Sequence, residues 1–168
     1  MSATRPNARL STRFSTRRAM RGVAFGLGAL WALPMTVPML AAGLAAVPFG
    51  ARLSRRGPML LVTGFPFGPW GALAIGQVVI SRLPSLDARV PSYRARAALR
   101  VGEDATWTKE RVHLARHELA HVRQSLVFGP LFLPLYLLCG GVSAKNPFER
   151  AADRYARSGR GWWPFSVA

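Results

Sequence analysis

Between Gly22 and Ala51 the chain runs for thirty residues without a charged side chain, and no other feature limits its architecture so strongly. A bilayer core takes about 20 apolar residues of helix, so this stretch is long enough to cross once and too short to cross twice. Pro34 and Pro38 remove backbone donors inside it. The segment 22–51 is therefore expected to form one kinked membrane helix or, alternatively, a re-entrant hairpin.

The charges on either side fit that expectation. Met1 to Arg56 holds nine Arg and no acid, whereas Arg82 to Ala168 carries fourteen basic against seven acidic residues, for a net charge of +16. Arg flanking apolar segments is the pattern that orients membrane proteins, and no base-reading motif or aromatic ladder accompanies it, so nucleic acid is not an expected partner. Residues 1–21, with Arg5, Arg9, Arg13, Arg17, Arg18 and Arg21, are expected to be a disordered basic cytoplasmic tail near anionic lipid. Arg17-Arg18 matches a twin-arginine export signal only loosely. Half of the 168 residues are hydrophobic, which points to one compact domain beside a membrane element. Cys139, the single cysteine, sits in an apolar run and is expected to be buried and inert.

Gly57 to Ser81 is also uncharged but is broken by Pro58, Gly64, Pro66, Gly68, Pro69, Gly71 and Gly76. The β-branched run Ala72 to Ser81 predicts a strand; the alternative for the whole segment is a second membrane span. Leu83 to Ala105 is a connection, with a short strand over Ala97 to Val101. Leu131 to Cys139 is intensely apolar yet short and interrupted by Pro134, so it either dips into the membrane surface or covers a site. Trp162, Trp163 and Phe165 suit a bilayer interface or internal packing equally.

The chemistry is carried by His117-Glu118-Leu119-Ala120-His121. Lys109 to Phe128 contains no Pro or Gly, Thr108 can cap its start and Gly129-Pro130 stops it, which predicts a helix of about five turns. Residues four apart lie on one face, so both imidazoles can share one zinc ion, with Glu118 beside it as a general base for a zinc-bound water. His113 is one turn upstream; three ligands at such spacing span about 12 Å of rise, too far for one ion, so His113 is an outer or merely polar group. Gln124 follows His121 on the same face. Downstream, Asn146 to Arg157 predicts a short helix with Pro147 as its first residue. Glu149 and Asp153 share a face of it, which makes Glu149 the candidate third zinc ligand and Asp153 the partner that orients an imidazole. The plain alternative is an ordinary solvated face.

HELAH followed by a helix carrying ExxAD resembles the gluzincin metallopeptidases, notably the membrane-bound prenyl-protein and heat-shock peptidase group, over about a third of the chain. The ELAHVRQ and NPFER wording also resembles small bacterial membrane proteins with the same layout. The resemblance implies zinc held by His117, His121 and Glu149, Glu118 as catalytic base and Asp153 as outer partner, on an α+β, minimal zincin-like core spanning 57–161. It also implies an edge strand beside the HExxH helix that pairs with extended substrate. The expected function is a membrane-anchored zinc-dependent metallopeptidase of the bacterial inner (cytoplasmic) membrane acting on a peptide or protein substrate; the alternative is a zinc-binding pseudo-enzyme that serves as a membrane scaffold or partner-binding protein. A weaker alternative is a lipid-surface or nucleic-acid binder using the basic arm. No downstream His offers itself for an oxyanion. Six Arg before the span favour an external site, and a second span would return it to the cytoplasm. Oligomeric state and substrate are not readable from the sequence.

Overall fold

The computed structural model describes residues 8–69, 71–102 and 109–166, and within them the protein is a mixed α+β fold. Helix α1 runs over Ala8–Trp31. The boundary expected at Gly22, between an irregular tail and a helix, is therefore not an element boundary: Ala8 to Arg21 contains neither Gly nor Pro, and nothing stops the helix of the apolar run from extending backwards. Residues 1–7, with Arg5, lie outside the described residues.

The stretch 22–51, expected as one kinked helix or a re-entrant hairpin, contains two helices joined at a sharp bend, which either expectation accommodates. Helix α2 covers Leu33–Ala45, and the axis bends by 72° between Gly22–Trp31 and Leu33–Ala45. The break falls where Pro34, at the second position of α2, can neither donate to the carbonyl four residues back nor avoid crowding it. A 3-10 turn at Val47–Phe49 follows. No single helix among the described residues is long and apolar enough to cross a membrane, although the bent pair passes together by length and composition.

Four strands between Arg52 and Ser81 form one sheet. Strands β1 (Arg52–Arg56), β2 (Met59–Thr63), β3 (Ala72–Ile75) and β4 (Val78–Ser81) lie in the order β1-β2-β4-β3. β1–β2 and β3–β4 are antiparallel hairpins, and β2 runs parallel to β4. Of the two expectations for this segment, strand and second span, the fold takes the strand, but the one strand expected over Ala72 to Ser81 is a hairpin. It folds back at Gly76, whose φ of +61° favours glycine. A Cβ there would lie 2.3 Å from Thr36 Oγ1. Thr36 Oγ1 accepts from Gln77 N–H at 3.1 Å and donates to Ala32 O at 2.9 Å, so the hairpin turn is fastened to the start of α2.

The run Val78-Val79-Ile80 is apolar without alternation because both faces of the sheet are covered. Met59, Leu61, Ala74 and Val79 pack with Leu114, Ala115 and Val122 on one face. Leu60, Val62, Val78 and Ile80 pack with Met39, Leu40 and Ala46 on the other. Full burial of a Val, Leu, Ile or Met side chain among them contributes about 1.5–3 kcal/mol.

A second, two-stranded sheet pairs β5 (Arg89–Pro91) antiparallel with β6 (Arg111–His113). The helix expected from Thr108 is thereby shortened to α4, Leu114–Phe128. Val112, flanked by exposed Arg111 and half-buried His113, is buried opposite Val90, and this β-branched alternation wins over helix extension. Thr108 lies outside the described residues. The strand expected over Ala97 to Val101 is instead part of helix α3, Tyr93–Arg100. Ser92 Oγ caps it by accepting from Ala95 N–H at 3.1 Å, and alanines fill its interior.

Beyond a 3-10 turn at Gly129–Leu131, α5 spans Phe132–Leu138 and α6 spans Pro147–Ser158. Asn146 caps α6 by accepting from Phe148 N–H at 2.9 Å. The same side chain donates to Tyr136 O at 3.0 Å and Gly141 O at 2.7 Å, which pins the end of α5 to the start of α6. Helices α4 and α6 meet over Ala120, Ala152 and Tyr155. Small residues at the crossing let the two backbones come close enough to share a site.

Candidate metal centre

The two site helices present their polar residues from opposite sides of one small space. His117 Nε2 lies 3.1 Å from Glu149 Oε2 and 3.2 Å from His121 Nε2, and His121 Nε2 lies 3.3 Å from the same Glu149 oxygen. All three side chains are buried, Glu149 to 2 % exposure. Donors about 2.0–2.1 Å from a tetrahedral ion stand about 3.3 Å from one another. The observed triangle has that size, so His117, His121 and Glu149 can hold a metal ion.

The outer atoms of the imidazoles decide whether their inner nitrogens face the triangle as lone pairs. His121 Nδ1 donates to Gln124 Oε1 at 2.8 Å. The Gln124 amide orientation follows from its other end, where Nε2 donates to Trp162 O at 2.9 Å and Phe148 O at 3.4 Å, leaving the oxygen for His121. On the other imidazole, His117 Nδ1 lies 3.0 Å from Asp153 Oδ1. The two atoms are near enough for a hydrogen bond but poorly aligned for one, and neither has another hydrogen-bond partner among the described residues, so the contact is chiefly one of charge. Asp153 Oδ2 accepts from Tyr93 N–H at 2.8 Å, which ties the carboxylate to the first turn of α3, where the helix dipole favours an anion. Both partners hold the imidazoles with Nδ1 outward and Nε2 inward, the arrangement metal-ligating histidines require.

Two tyrosines complete the surroundings. The Tyr93 ring stacks on His117, with centroids 5.6 Å apart and planes inclined by 18°. Arg96 lies over the Tyr93 ring with its guanidinium carbon 5.0 Å from the centroid, held by a 3.0 Å bond from Nε to Pro91 O. Tyr136, from α5, donates its hydroxyl to Glu149 Oε1, the carboxylate oxygen that does not face the imidazoles. Gln124, Tyr93 and Tyr136 are the residues that sequence reasoning assigned no role. For Tyr136 a signal existed: it is the one hydroxyl in the run Leu131 to Cys139. Nothing in the spacing points to Tyr93, whose place depends on α3 packing beside α6.

Three of the seven acids of the chain, Glu118, Glu149 and Asp153, are gathered here and buried. Burial opposes charge on His117, but Asp153 and Glu149 outweigh it and push the imidazole up to about 10. His121 is raised in the same way, chiefly by Glu149 overcoming burial. Burial also opposes charge on Glu149, and the two imidazoles overcome it and hold the carboxyl well below the usual range. On Glu118 burial prevails and the carboxyl is raised despite both imidazoles. Burial and the Glu149 charge raise both Tyr93 and Tyr136, so their hydroxyls stay protonated. The pocket thus attracts positive charge, as protons or as a cation.

The cluster forms the floor of a cleft of about 300 Å³ that is walled by β3 on one side and by Phe132, Leu133 and Tyr136 of α5 on the other. Glu118 lines it beside the triangle. β3 is an edge strand, with no further strand paired to it among the described residues. The inward residues of the apolar run Leu131 to Cys139 thus form one wall of the site. His113 closes β6 outside α4 and takes no part in the triangle. Cys139 is half-buried at the end of α5, less buried than expected, because the last turn of that helix faces outward. Trp163 and Phe165 pack against Phe128 and Phe148 behind the site. Comparison of the chain with protein-family models, curated proteins and solved structures finds no match.

Proposed function

We propose that the protein is a membrane-associated zinc metallopeptidase with a minimal zincin-like core, in which His117, His121 and Glu149 hold the ion. The observation that carries this reading is the buried two-imidazole, one-carboxylate triangle at the floor of an open cleft. Three protein donors of this kind with one position left open are the donor set of a hydrolytic zinc site; bound there, the ion supplies a Lewis acid and lowers the pKa of a water molecule.

The residues of the chain do the rest. β3 offers its free edge to an extended peptide, whose carbonyl then lies over the triangle. Glu118, made more basic by burial, takes a proton from the attacking water as the new C–O bond forms and gives it to the amine as the C–N bond breaks. Tyr136, held protonated at the cleft wall, donates its one hydroxyl proton to Glu149 and so supports that carboxylate. Membrane association is supported by the apolar bent pair of helices and the Arg that flank it.

Zinc analysis of protein purified without chelator, beside peptide hydrolysis by wild type and Glu118→Gln, tests the reading. Wild type should carry one zinc and hydrolyse, and Glu118→Gln should keep the zinc and lose turnover. Stoichiometric zinc in a wild type that cleaves nothing would instead favour a zinc-holding scaffold.

A further inference from the structure

Helix α5 has two faces with different surroundings. Phe132 and Tyr136 point inward, with rings 6.2 Å from that of His121. The outward side is as apolar as the inward one: Leu137 is 61 % and Leu138 84 % exposed, with Leu131 and Val142 exposed beside them. No charge occurs from Gln124 to Ala144. A solvated helix carries polar residues on its outer face, and this one carries none.

The apolar surface continues onto the N-terminal helices. Trp31, at the end of α1, lies against Gly129, where a Cβ would meet the indole at 2.4 Å, and both α1 and α2 touch the turn that leads into α5. Met20, Val23, Leu27 and Leu30 form an exposed stripe along α1, and Leu33, Val37 and Leu44 form one along α2. These stripes follow helical spacing and have no partner within the described chain.

We propose that the outer face of α5, joined to the stripes of α1 and α2, lies in the boundary between hydrocarbon and headgroups of an anionic bilayer. The cleft then opens at the membrane surface and takes extended polypeptide segments lying there, a substrate class that rests on the metallopeptidase reading above. Charge selects the occupant: a net charge of +16, with Arg52 and Arg55 exposed on β1 just after the helices and Arg56 beside them paired with Asp87, attracts anionic headgroups. A second copy of the chain would carry the same net charge of +16 and be repelled as a whole.

Cys139, at the end of α5 and unique in the chain, provides the probe. The full-length protein, labelled there with an environment-sensitive fluorophore, is reconstituted in phosphatidylcholine–phosphatidylglycerol vesicles. A label on Arg160→Cys in a Cys139→Ser background serves as the water-exposed reference. The label at Cys139 should be quenched several-fold more by nitroxide-bearing lipid, and several-fold less by iodide, than the reference. Leu137→Glu with Leu138→Glu should return it to iodide without changing bound zinc. Quenching by iodide equal to the reference overturns the lipid surface. Energy transfer between labels on two chains without quenching by lipid nitroxide overturns it in favour of a second copy. A lipid-shielded label on a protein that binds no zinc would sink the metallopeptidase reading alone, whereas an iodide-accessible label on a zinc-loaded protein would sink only the lipid surface.

Discussion

Each of the three donors is fixed by a neighbour on its far side, Asp153 for His117, Gln124 for His121 and Tyr136 for Glu149. Removing a donor and removing its support should therefore differ in degree. His117→Ala, His121→Ala or Glu149→Ala should abolish stoichiometric zinc, because two donors leave the site incomplete. Asp153→Asn should weaken metal affinity or activity by on the order of 10- to 100-fold. Metal titration of the purified variants checks both, and Glu149→Ala binding as tightly as wild type would remove Glu149 from the set. Protonation gives a second prediction. The proton on His117 is held up to about 10 against an ordinary imidazole value of about 6.5, so without metal the pairing of charged His117 with Asp153 stabilises the fold fully below about pH 6.5 and is lost as pH rises through about 10. A metal must displace this proton, so affinity should increase with pH over that window and binding should release protons. Calorimetry in buffers of different ionisation enthalpy reads the release; enthalpies independent of buffer would contradict it.

At the scale of elements, the site depends on how closely α4 and α6 approach. Ala120 and Ala152 are both 0 % exposed at their crossing. Ala152→Leu should cost about 1–3 kcal/mol through overpacking, and by moving α6 outward it should weaken zinc binding although no donor has changed. Thermal unfolding with and without chelator separates the two losses. A variant that unfolds like wild type and binds zinc equally well would show that the crossing has slack. The helix α6 and its Pro147 start could be read directly, because capping is local: Asn146, Pro147 and Gly159 each act within one turn. The start of α4 could not. Arg111 to His113 has no breaker, and only the pairing with Arg89–Pro91, some twenty residues earlier in the chain, turns it into a strand.

For the whole molecule, the bent helix pair and the Arg that flank it predict recovery in the membrane fraction. Detergent should release the protein and high salt alone should not, since burial of apolar side chains is insensitive to screening while attraction to anionic lipid is not. Release by salt alone would mean that the contact is electrostatic only, with the apolar stripes engaged elsewhere. The 72° bend bears on this, because it turns one long apolar stretch into two shorter helices, and the second of these covers one face of the sheet.

The sequence by itself determined the candidate groups and their order: two histidines one turn apart on one helix, and on a later one Glu149 as candidate donor with Asp153 one turn beyond it. Helical periodicity dictates which side chains share a face, and it needs no knowledge of what lies opposite. It also marked the charge-free stretch and its prolines. Only the tertiary structure decided that the two faces meet in one triangle, that Gln124, Tyr93 and Tyr136 surround it, and that Met59–Thr63 joins the strands within Ala72 to Ser81 in one sheet. Those outcomes depend on contacts between distant segments, in which burial against a partner outweighs local preference. An apolar run such as Val78 to Ile80 satisfies a membrane and a two-sided sheet equally well until its neighbours are in place.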